Sequence, residues 1–230
     1  MDDSAALLEP FLLPARIERL REAARQRTRN LRVVLDGVHD PHNLSAAVRS
    51  CDGFGVLELH VIESAKPFRV RRKVSQGTEK WIRIRRHPDP ADAVAALRGE
   101  GFDLWVADPR PGGRAVDELP WEKKLALVFG NEKSGASREV SSAAAGFFCI
   151  PMYGFGDSFN VSVAAGIALA VAVRERLRRL GHHGDLSPAE QEALIAEWMK
   201  RAVKNADRIL AHLAARGSDD HAESDDAGDD

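Results

Sequence analysis

Short apolar segments that alternate with helical segments constrain the fold of this chain more than any other feature. Such alternation is typical of a parallel sheet that is covered by helices on both faces. The predicted strands are Leu31–Asp36, Val56–Ile62, Trp81–Arg85, Phe102–Ala107, Leu125–Phe129 and Phe147–Ile150. The predicted helices between and after them are Asn43–Asp52, Asp89–Leu97, Ser137–Ala145 and Val161–Val173. The sequence therefore predicts an α/β fold.

Helices are also predicted on either side of this alternating region. Residues Pro14–Arg29 place Ile17, Leu20 and Ala24 on one apolar stripe, and Ser187–Glu190 forms a capping box ahead of a last helix that runs to about Ala214. The final fourteen residues hold seven acidic side chains and no lysine or arginine, which predicts a disordered tail. We expect a basic helical extension over 1–30, the main domain over 31–180, a second extension over 181–216 and the tail over 217–230.

The overall charge of −2 hides a basic body, because the tail carries much of the acid. Without the tail, 33 basic residues stand against 28 acidic ones. Arg16, Arg19 and Arg27 fall on one stripe of the predicted N-terminal helix, and a second basic group runs from Arg69 to Arg86. Such patches suit phosphate backbones and indicate RNA, although a solvated helix face would have the same pattern.

Composition also limits the cofactors and the compartment. No run of 18 apolar residues and no secretory signal pattern is present, so we expect a cytoplasmic protein that does not enter the membrane. The candidate metal ligands are two cysteines and two neighbouring histidines, without a carboxylate at a fixed spacing. They are Cys51, Cys149, His39 and His42. We therefore expect no metal.

Polar, glycine-containing loops follow three of the predicted strands. Asn43 ends the first loop as a candidate N-cap, and Arg49 follows six residues later in the helix. The loop over 130–137 nearly matches a phosphate-binding loop, but Ala136 stands where that motif needs lysine. The loop over 150–160 lacks the third glycine of a dinucleotide fingerprint, since Phe159 stands there, and its Ser158 and Asn160 are candidate N-caps. These loops favour a ligand site at the carboxyl ends of the strands.

Taken together, three segments resemble the signature motifs of a known superfamily. They read DGVHDPHNLSAAVRSCDGFGV, LALVFGNEKSG and IPMYGFGDSFNVSVAAGIALA. In order and spacing they resemble the SPOUT superfamily of RNA methyltransferases, and most closely the TrmH-type tRNA guanosine 2′-O-methyltransferases. The resemblance covers residues 16 to about 176. One departure is Phe159, where the family usually has leucine.

The resemblance implies a parallel sheet with a C-terminal trefoil knot, in a homodimer whose active sites take residues from both subunits. It implies S-adenosyl-L-methionine as methyl donor, tRNA as substrate, and methylation of the D-loop guanosine at position 18. The implied catalytic residues are Asn43, Arg49, Glu132, Ser158 and Asn160. The implied donor-binding residues are Ala107, Gly130, Ile150 and Phe159. The implied RNA-binding residues are Arg16, Arg19, Arg27, Arg174 and Arg176.

Arg49 is the residue that we expect at the attacked ribose. Its guanidinium stays protonated at any ordinary pH, so it is better suited to binding a phosphate and stabilising the forming alkoxide than to acting as a base. Asn43 and Asn160 then orient groups, Ser158 donates a hydrogen bond, and Glu132 orders the site. Three alternatives remain: methylation of ribosomal RNA or of another tRNA position, an RNA-binding protein without activity, and a nucleotide triphosphatase, which Ala136 disfavours.

Overall fold

The computed structural model describes residues 4–63, 72–109 and 112–213. The helices are α1 (Ser4–Leu8), α2 (Pro14–Arg25), α3 (Pro41–Gly53), α4 (Arg72–Ser75), α5 (Pro90–Gly99), α6 (Arg138–Ala143), α7 (Val161–Leu180) and α8 (Pro188–Ala202). The strands are β1 (Thr28–Asp36), β2 (Val56–Ile62), β3 (Arg83–His87), β4 (Asp103–Ala107), β5 (Arg114–Ala115), β6 (Leu125–Phe129) and β7 (Gly146–Cys149). The described residues form two compact units, one over Gln26–Asp185 and one that joins 4–25 with 186–213. The predicted acidic tail over 217–230 lies outside the described residues.

All strands of the larger unit join one sheet in the order β3-β2-β1-β6-β4-β7-β5, and every pair is parallel. The predicted parallel α/β fold is confirmed. Because the strands are parallel, all their carboxyl ends lie along one edge of the sheet. The sequence did not indicate β5, which has only two residues.

The core explains why these segments become strands. Along β1, Val33 and Leu35 pack into an apolar cluster with residues of α3 and α7, whereas Val34 between them packs into a second cluster with residues of α5 and α6. Successive side chains of a strand point to opposite faces, so this sheet is buried on both sides. A strand in such a place needs an apolar run, which β6 has along its whole length and β1 has over Val33, Val34 and Leu35.

Helix α7 begins where the sequence predicts but extends further. The Asn160 side chain caps it by accepting a hydrogen bond from the Ser162 N–H, and Gly181 ends it in the left-handed conformation at φ +76°. The helix is not buried on every side, since Val163 and Leu177 are 48% and 49% exposed. Together with Ala170, which is also exposed, they form an apolar stripe at seven-residue spacing.

Helix α3 begins earlier than predicted. The Asp40 carboxylate accepts a hydrogen bond from the His42 N–H, and Pro41 occupies the first helical position, where its missing N–H costs nothing. The prediction that Asn43 caps this helix is therefore wrong. The Asn43 amide lies within the first turn and is available for other contacts.

The second basic group of the sequence is partly neutralised. Arg85 Nε lies 2.9 Å from the buried Glu58 Oε1, and Arg86 Nε lies 3.0 Å from Glu63 Oε1. Its members Arg69 and Arg71 lie outside the described residues. Arg85 and Arg86 are therefore ion-paired at the edge of the sheet and do not form an open phosphate-binding patch.

The smaller unit joins the two ends of the chain, because α1 and α2 both pack against α8. Ile17, Leu20 and Ala24 of α2 are buried, and the predicted capping box of Ser187 and Glu190 begins α8. The prediction of one helix to Ala214 is wrong. Helix α8 ends at Ala202, Asn205 adopts φ +60°, and a separate helical segment covers 206–213. Among the described residues, no helix is both long and apolar enough to span a bilayer.

Arg27 does not continue the arginine stripe of α2, which ends at Arg25. Its side chain is only 3% exposed and lies within the larger unit. The guanidinium forms an ion pair with the Asp52 carboxylate and donates to the main-chain oxygens of Asp52 and Val56 at 3.2 Å. The predicted exposure of Arg27 is wrong, because its donors are used to join β1 to the end of α3.

Arg176 is buried in a similar way, at 2% exposure. Its guanidinium contacts the Asp185 carboxylate at 2.8 Å and donates to the Trp121 carbonyl at 3.2 Å. Burial lowers the pKa of Arg176, while the Asp185 carboxylate acts in the opposite direction. The guanidinium remains charged, since an arginine pKa starts far above neutrality. Arg176 is therefore not placed on a surface where it could meet a phosphate.

Arg176→Ala tests this structural role. Removing one partner of a buried pair leaves Asp185 without its cation, so we expect a loss of about 3 kcal/mol in the free energy of unfolding, measured by urea denaturation. The matched control is Arg174→Ala, two residues away, whose side chain is 66% exposed. It should change stability by no more than about 0.5 kcal/mol. Equal effects of the two substitutions would contradict the assignment.

Candidate active site

A cleft of about 450 Å³ lies at the carboxyl ends of β4, β6 and β7. Its walls are the segments 106–109, 129–136, 147–150 and 157–159, together with Met152, Ser141, Val161 and Ala164. All four residues predicted to bind the methyl donor lie in this lining: Ala107, Gly130, Ile150 and Phe159. Val106, Phe129 and Ala164 make part of the wall apolar, and the loops supply main-chain polar groups. The cleft thus offers a mixed surface for a small organic ligand.

The loop after β6 is folded tightly upon itself. The Asn131 and Gly135 main chains exchange two hydrogen bonds, at 3.0 and 2.8 Å, and the Asn131 Oδ1 accepts from the N–H groups of Lys133 and Ser134. A Cβ on Gly130 would lie 2.2 Å from the Ala136 nitrogen, so only glycine permits this approach. The loop therefore presents a fixed wall to the cleft.

Three of the five predicted catalytic residues form one hydrogen-bonded chain. Asn43 Nδ2 donates to Glu132 Oε1 at 2.6 Å, and Asn160 Nδ2 donates to Asn43 Oδ1 at 3.0 Å. The remaining amide oxygen, Asn160 Oδ1, accepts from the Ser162 N–H at 2.9 Å. Each amide therefore uses its donor and its acceptor, which fixes the direction of both side chains. The chain holds the Glu132 carboxylate at the mouth of the cleft, which Glu132 also lines.

The other two predicted catalytic residues are placed differently. Ser158 is exposed and lines the cleft. Arg49 is exposed on α3 outside the cleft, beside a separate depression lined by Ser50, Phe54 and Val74. Six residues turn a helix by about 600°, so Arg49 points about 120° away from Asn43. The structure therefore does not bring Arg49 to Glu132 within one chain.

Two further polar residues hold the loops together and were not predicted as site residues. Asn131 Nδ2 donates to the Gly37 carbonyl at 2.9 Å, and the buried Asp36 carboxylate accepts from the Ser137 N–H at 2.6 Å. Both bonds join the loop after β1 to the loop after β6. The available signal was the position of Asp36, an acidic residue at the last place of a buried strand.

Attack by a cysteine thiolate and catalysis by a bound metal are two other kinds of chemistry to compare with these residues. Burial raises the pKa of the Cys51 thiol to about 12, so it is not a thiolate nucleophile at neutral pH. Among residues 4–63, 72–109 and 112–213, no cluster of three or more histidine, cysteine or acidic side chains is arranged to hold a metal. The expectation that the chain needs no metal stays a prediction.

The SpoU rRNA Methylase family matches residues 30–170, which is more than half of the chain. The chain belongs to this family, and the predicted resemblance is confirmed.

Curated relatives in the family cover most of the chain. A tRNA (guanosine(18)-2′-O)-methyltransferase of Thermus thermophilus is 38% identical over 188 residues, which are 81% of this chain and 97% of the relative. The enzyme of the same name from Aquifex aeolicus is 34% identical over 211 residues, covering 89% and 99%. That from Escherichia coli K12 is 32% identical over 187 residues, covering 80% and 82%.

Solved structures show the same fold. The TrmH/SpoU tRNA modifying enzyme of A. aeolicus superimposes with a TM-score of 0.76 at 33% identity, covering 83% of this chain and 98% of that one. The SpoU methyltransferase AviRb from Streptomyces viridochromogenes, in complex with the cofactor AdoMet, gives a TM-score of 0.57 at 28% identity. That match covers 67% of this chain and 62% of AviRb.

Gly130→Ala tests the tight wall of the cleft. The added Cβ meets main-chain atoms at 2.2 Å, so the loop must move and the cleft must change shape. We expect affinity for S-adenosyl-L-methionine, measured by isothermal titration calorimetry, to fall about 10-fold or more. The control is Gly154→Ala, since a Cβ there meets nothing within 4 Å. Wild-type affinity in the Gly130 variant would show that the loop does not shape the ligand site.

Proposed function

We propose that this protein transfers a methyl group from S-adenosyl-L-methionine to the ribose 2′-hydroxyl of a tRNA guanosine, at position 18 of the D-loop. The observation that carries the proposal is the hydrogen-bonded chain of Asn43, Glu132 and Asn160 beside a cleft of about 450 Å³. The names of the T. thermophilus and A. aeolicus relatives support the substrate, as those proteins align over 97% and 99% of their lengths.

The cleft suits the methyl donor. Its apolar wall at Val106, Phe129 and Ile150 can receive an adenine ring, and the main chain of the surrounding loops offers partners for polar groups. We assign the holding of the donor to Ala107, Gly130, Ile150 and Phe159, which line the cleft. When bound, S-adenosyl-L-methionine would supply a methyl group from its sulfonium sulfur: the S–CH3 bond breaks as the bond to the ribose oxygen forms, the sulfur leaves as a neutral thioether, and the hydroxyl proton passes to water.

The residues of the chain then align and polarise the acceptor. The Glu132 carboxylate, held by Asn43, is placed to accept a hydrogen bond from a ribose hydroxyl, and Asn160 holds Asn43. Ser158 can donate to an oxygen at the mouth of the cleft, which it lines. Fixing the hydroxyl in line with the methyl group removes an entropic cost, and orientation of this kind contributes up to ~7–11 kcal/mol.

We propose that a second copy of the chain supplies Arg49 to complete the site. Arg49 lies outside the cleft of its own chain, and its guanidinium is suited to a phosphate or an alkoxide. The exposed stripe of Val163, Ala170 and Leu177 on α7 supports such a homodimer, because an apolar helix face favours packing against protein. We also propose the trefoil knot. Strand β7 lies between β4 and β5, so the chain leaving β7 must pass the connection that joins those two earlier strands.

Arg16, Arg19 and Arg174 remain as proposed contacts to tRNA phosphates, and the exposed side chains of Arg19 and Arg174 fit this role. Arg27 and Arg176 are left out because both are buried. Phosphate contacts make binding fall steeply with salt. With tRNA as the substrate, we also propose that the protein acts in the cytoplasm.

Methyl incorporation from labelled S-adenosyl-L-methionine into unmodified tRNA tests the proposed function. We expect a single product, 2′-O-methylguanosine, mapped to position 18 of the D-loop, and at least about a 100-fold loss of rate in Glu132→Ala. Methylation at another tRNA position, or only of ribosomal RNA, would contradict the proposed substrate and keep the reaction. Donor binding without incorporation into either RNA would leave the non-catalytic RNA-binding protein as the better interpretation.

Arg49→Lys and Glu132→Ala together test whether the site is shared. Each variant alone should lose most of its turnover, since lysine lacks the planar fork of arginine. If Arg49 acts in the partner's site, a heterodimer of the two variants contains one site with both native residues. We expect co-expressed, doubly tagged heterodimer to regain about half of the wild-type rate.

The matched control is a doubly tagged heterodimer in which one chain carries both substitutions and the other chain is wild type. In that pairing neither site keeps both native residues if Arg49 acts across subunits, so it should stay inactive. The opposite pattern, with activity only in this control, would show that Arg49 acts within its own chain.

A further inference from the structure

A second cavity, of about 680 Å³, lies at the same edge of the sheet. Its walls include Asp36 at the end of β1, Ile62 at the end of β2 and Pro90 in the first turn of α5. Asn131 and the segment 134–136 line both this cavity and the donor cleft. The loop after β6 is therefore a wall that the two cavities share.

A buried carboxylate with spare acceptor capacity lines this cavity. Asp36 is 4% exposed, and among the described residues its one hydrogen bond is from the Ser137 N–H to Oδ2. A carboxylate offers about four lone-pair positions, so most of its capacity is unused. Buried charges are normally paired or fully hydrogen-bonded, and the described part of the chain supplies no cation to Asp36. This arrangement points to a ligand that donates hydrogen bonds.

Donors stand next to that acceptor. The Ser137 Oγ is buried and has no hydrogen-bond partner within the described ranges, and Arg138 beside it lines the cavity without an ion pair there. The other carboxylate of the cavity, Glu63, is held by Arg86 at 3.0 Å. The cavity thus combines an unused acceptor at Asp36 with unused donors at residues 137 and 138.

Guanine has the complementary pattern. Its N1–H and N2 amino group are adjacent donors, and its O6 and N7 are acceptors. Adenine would place the N1 acceptor against a carboxylate, and inosine lacks the N2 amino group. A base that occupies this cavity would leave its ribose near the shared wall, which also carries Glu132 towards the donor cleft.

We infer that this cavity receives the base of the acceptor guanosine, and that Asp36 selects guanine by accepting hydrogen bonds from its N1–H and N2 amino group. The inference rests on the proposed function and assigns its base specificity to one residue. Asp36 is a specificity residue in this reading and takes no part in methyl transfer itself.

Asp36→Asn tests the inference with two tRNA transcripts, one with guanosine and one with inosine at the acceptor position. Wild-type enzyme should favour guanosine in kcat/KM by about 10- to 100-fold, the range for a hydrogen bond to a charged group. The asparagine side chain keeps an oxygen that accepts from the Ser137 N–H, but its second polar group is now an amide NH2, which donates towards the base where the carboxylate accepted. We expect the variant to favour guanosine by less than about threefold, because its guanosine rate falls.

Two controls separate a specificity role from a structural one. Affinity for S-adenosyl-L-methionine should be unchanged in Asp36→Asn, which would show that the donor cleft is intact. Asp103→Asn changes a half-exposed carboxylate at the first residue of β4, and it should keep the wild-type preference.

If Asp36→Asn keeps the wild-type preference for guanosine, with or without an equal loss of rate on both transcripts, the inference is overturned while the proposed function stands. Wild-type protein that methylates no tRNA guanosine would overturn both.

Discussion

Parallel strand pairing is the constraint on which the rest of this structure depends. It brings the carboxyl ends of β1, β6, β4 and β7 to one edge, so loops that lie about a hundred residues apart in the sequence become neighbours. The hydrogen bonds from Asn43 to Glu132 and from Asn160 to Asn43 span 89 and 117 residues. These bonds form only if the register of the sheet is correct. The site is therefore a product of the whole sheet and not of any one loop.

Buried charge has a structural task in this chain. Arg27 and Arg176 each donate to main-chain oxygens as well as to a carboxylate, so each guanidinium joins segments distant in sequence. Asp185 meets Arg176, the Thr28 hydroxyl at 2.5 Å and the Arg29 N–H at 2.7 Å. This network ties the start of β1 to the region after α7. A charged residue close to a functional motif can thus serve the fold alone.

Most of the sheet could be predicted from the sequence because its central strands carry apolar runs, and the resemblance named residues that do lie beside the cleft. The predictions from sequence are wrong where a charged residue or a very short segment interrupts the apolar pattern of the strands and helices. The sequence predicts that helix α7 ends at Val173, because Glu175 and Arg176 are charged, yet ion pairs and hydrogen bonds allow both to be buried within the helix. Arg27 was misplaced for the same reason. No sequence pattern indicates that Asp52 forms an ion pair with Arg27.

The wall between the two cavities has a thermodynamic consequence. Asn131 and the segment 134–136 line both cavities. A ligand in one cavity that displaces this loop therefore also changes the wall of the other cavity. Occupancy of the two cavities is then linked, and linkage is reciprocal: the factor by which one ligand changes the affinity for the second equals the factor by which the second changes the affinity for the first. A single turn of main chain, held by the close contacts of Gly130 and Asn131, is the element through which such a coupling would pass.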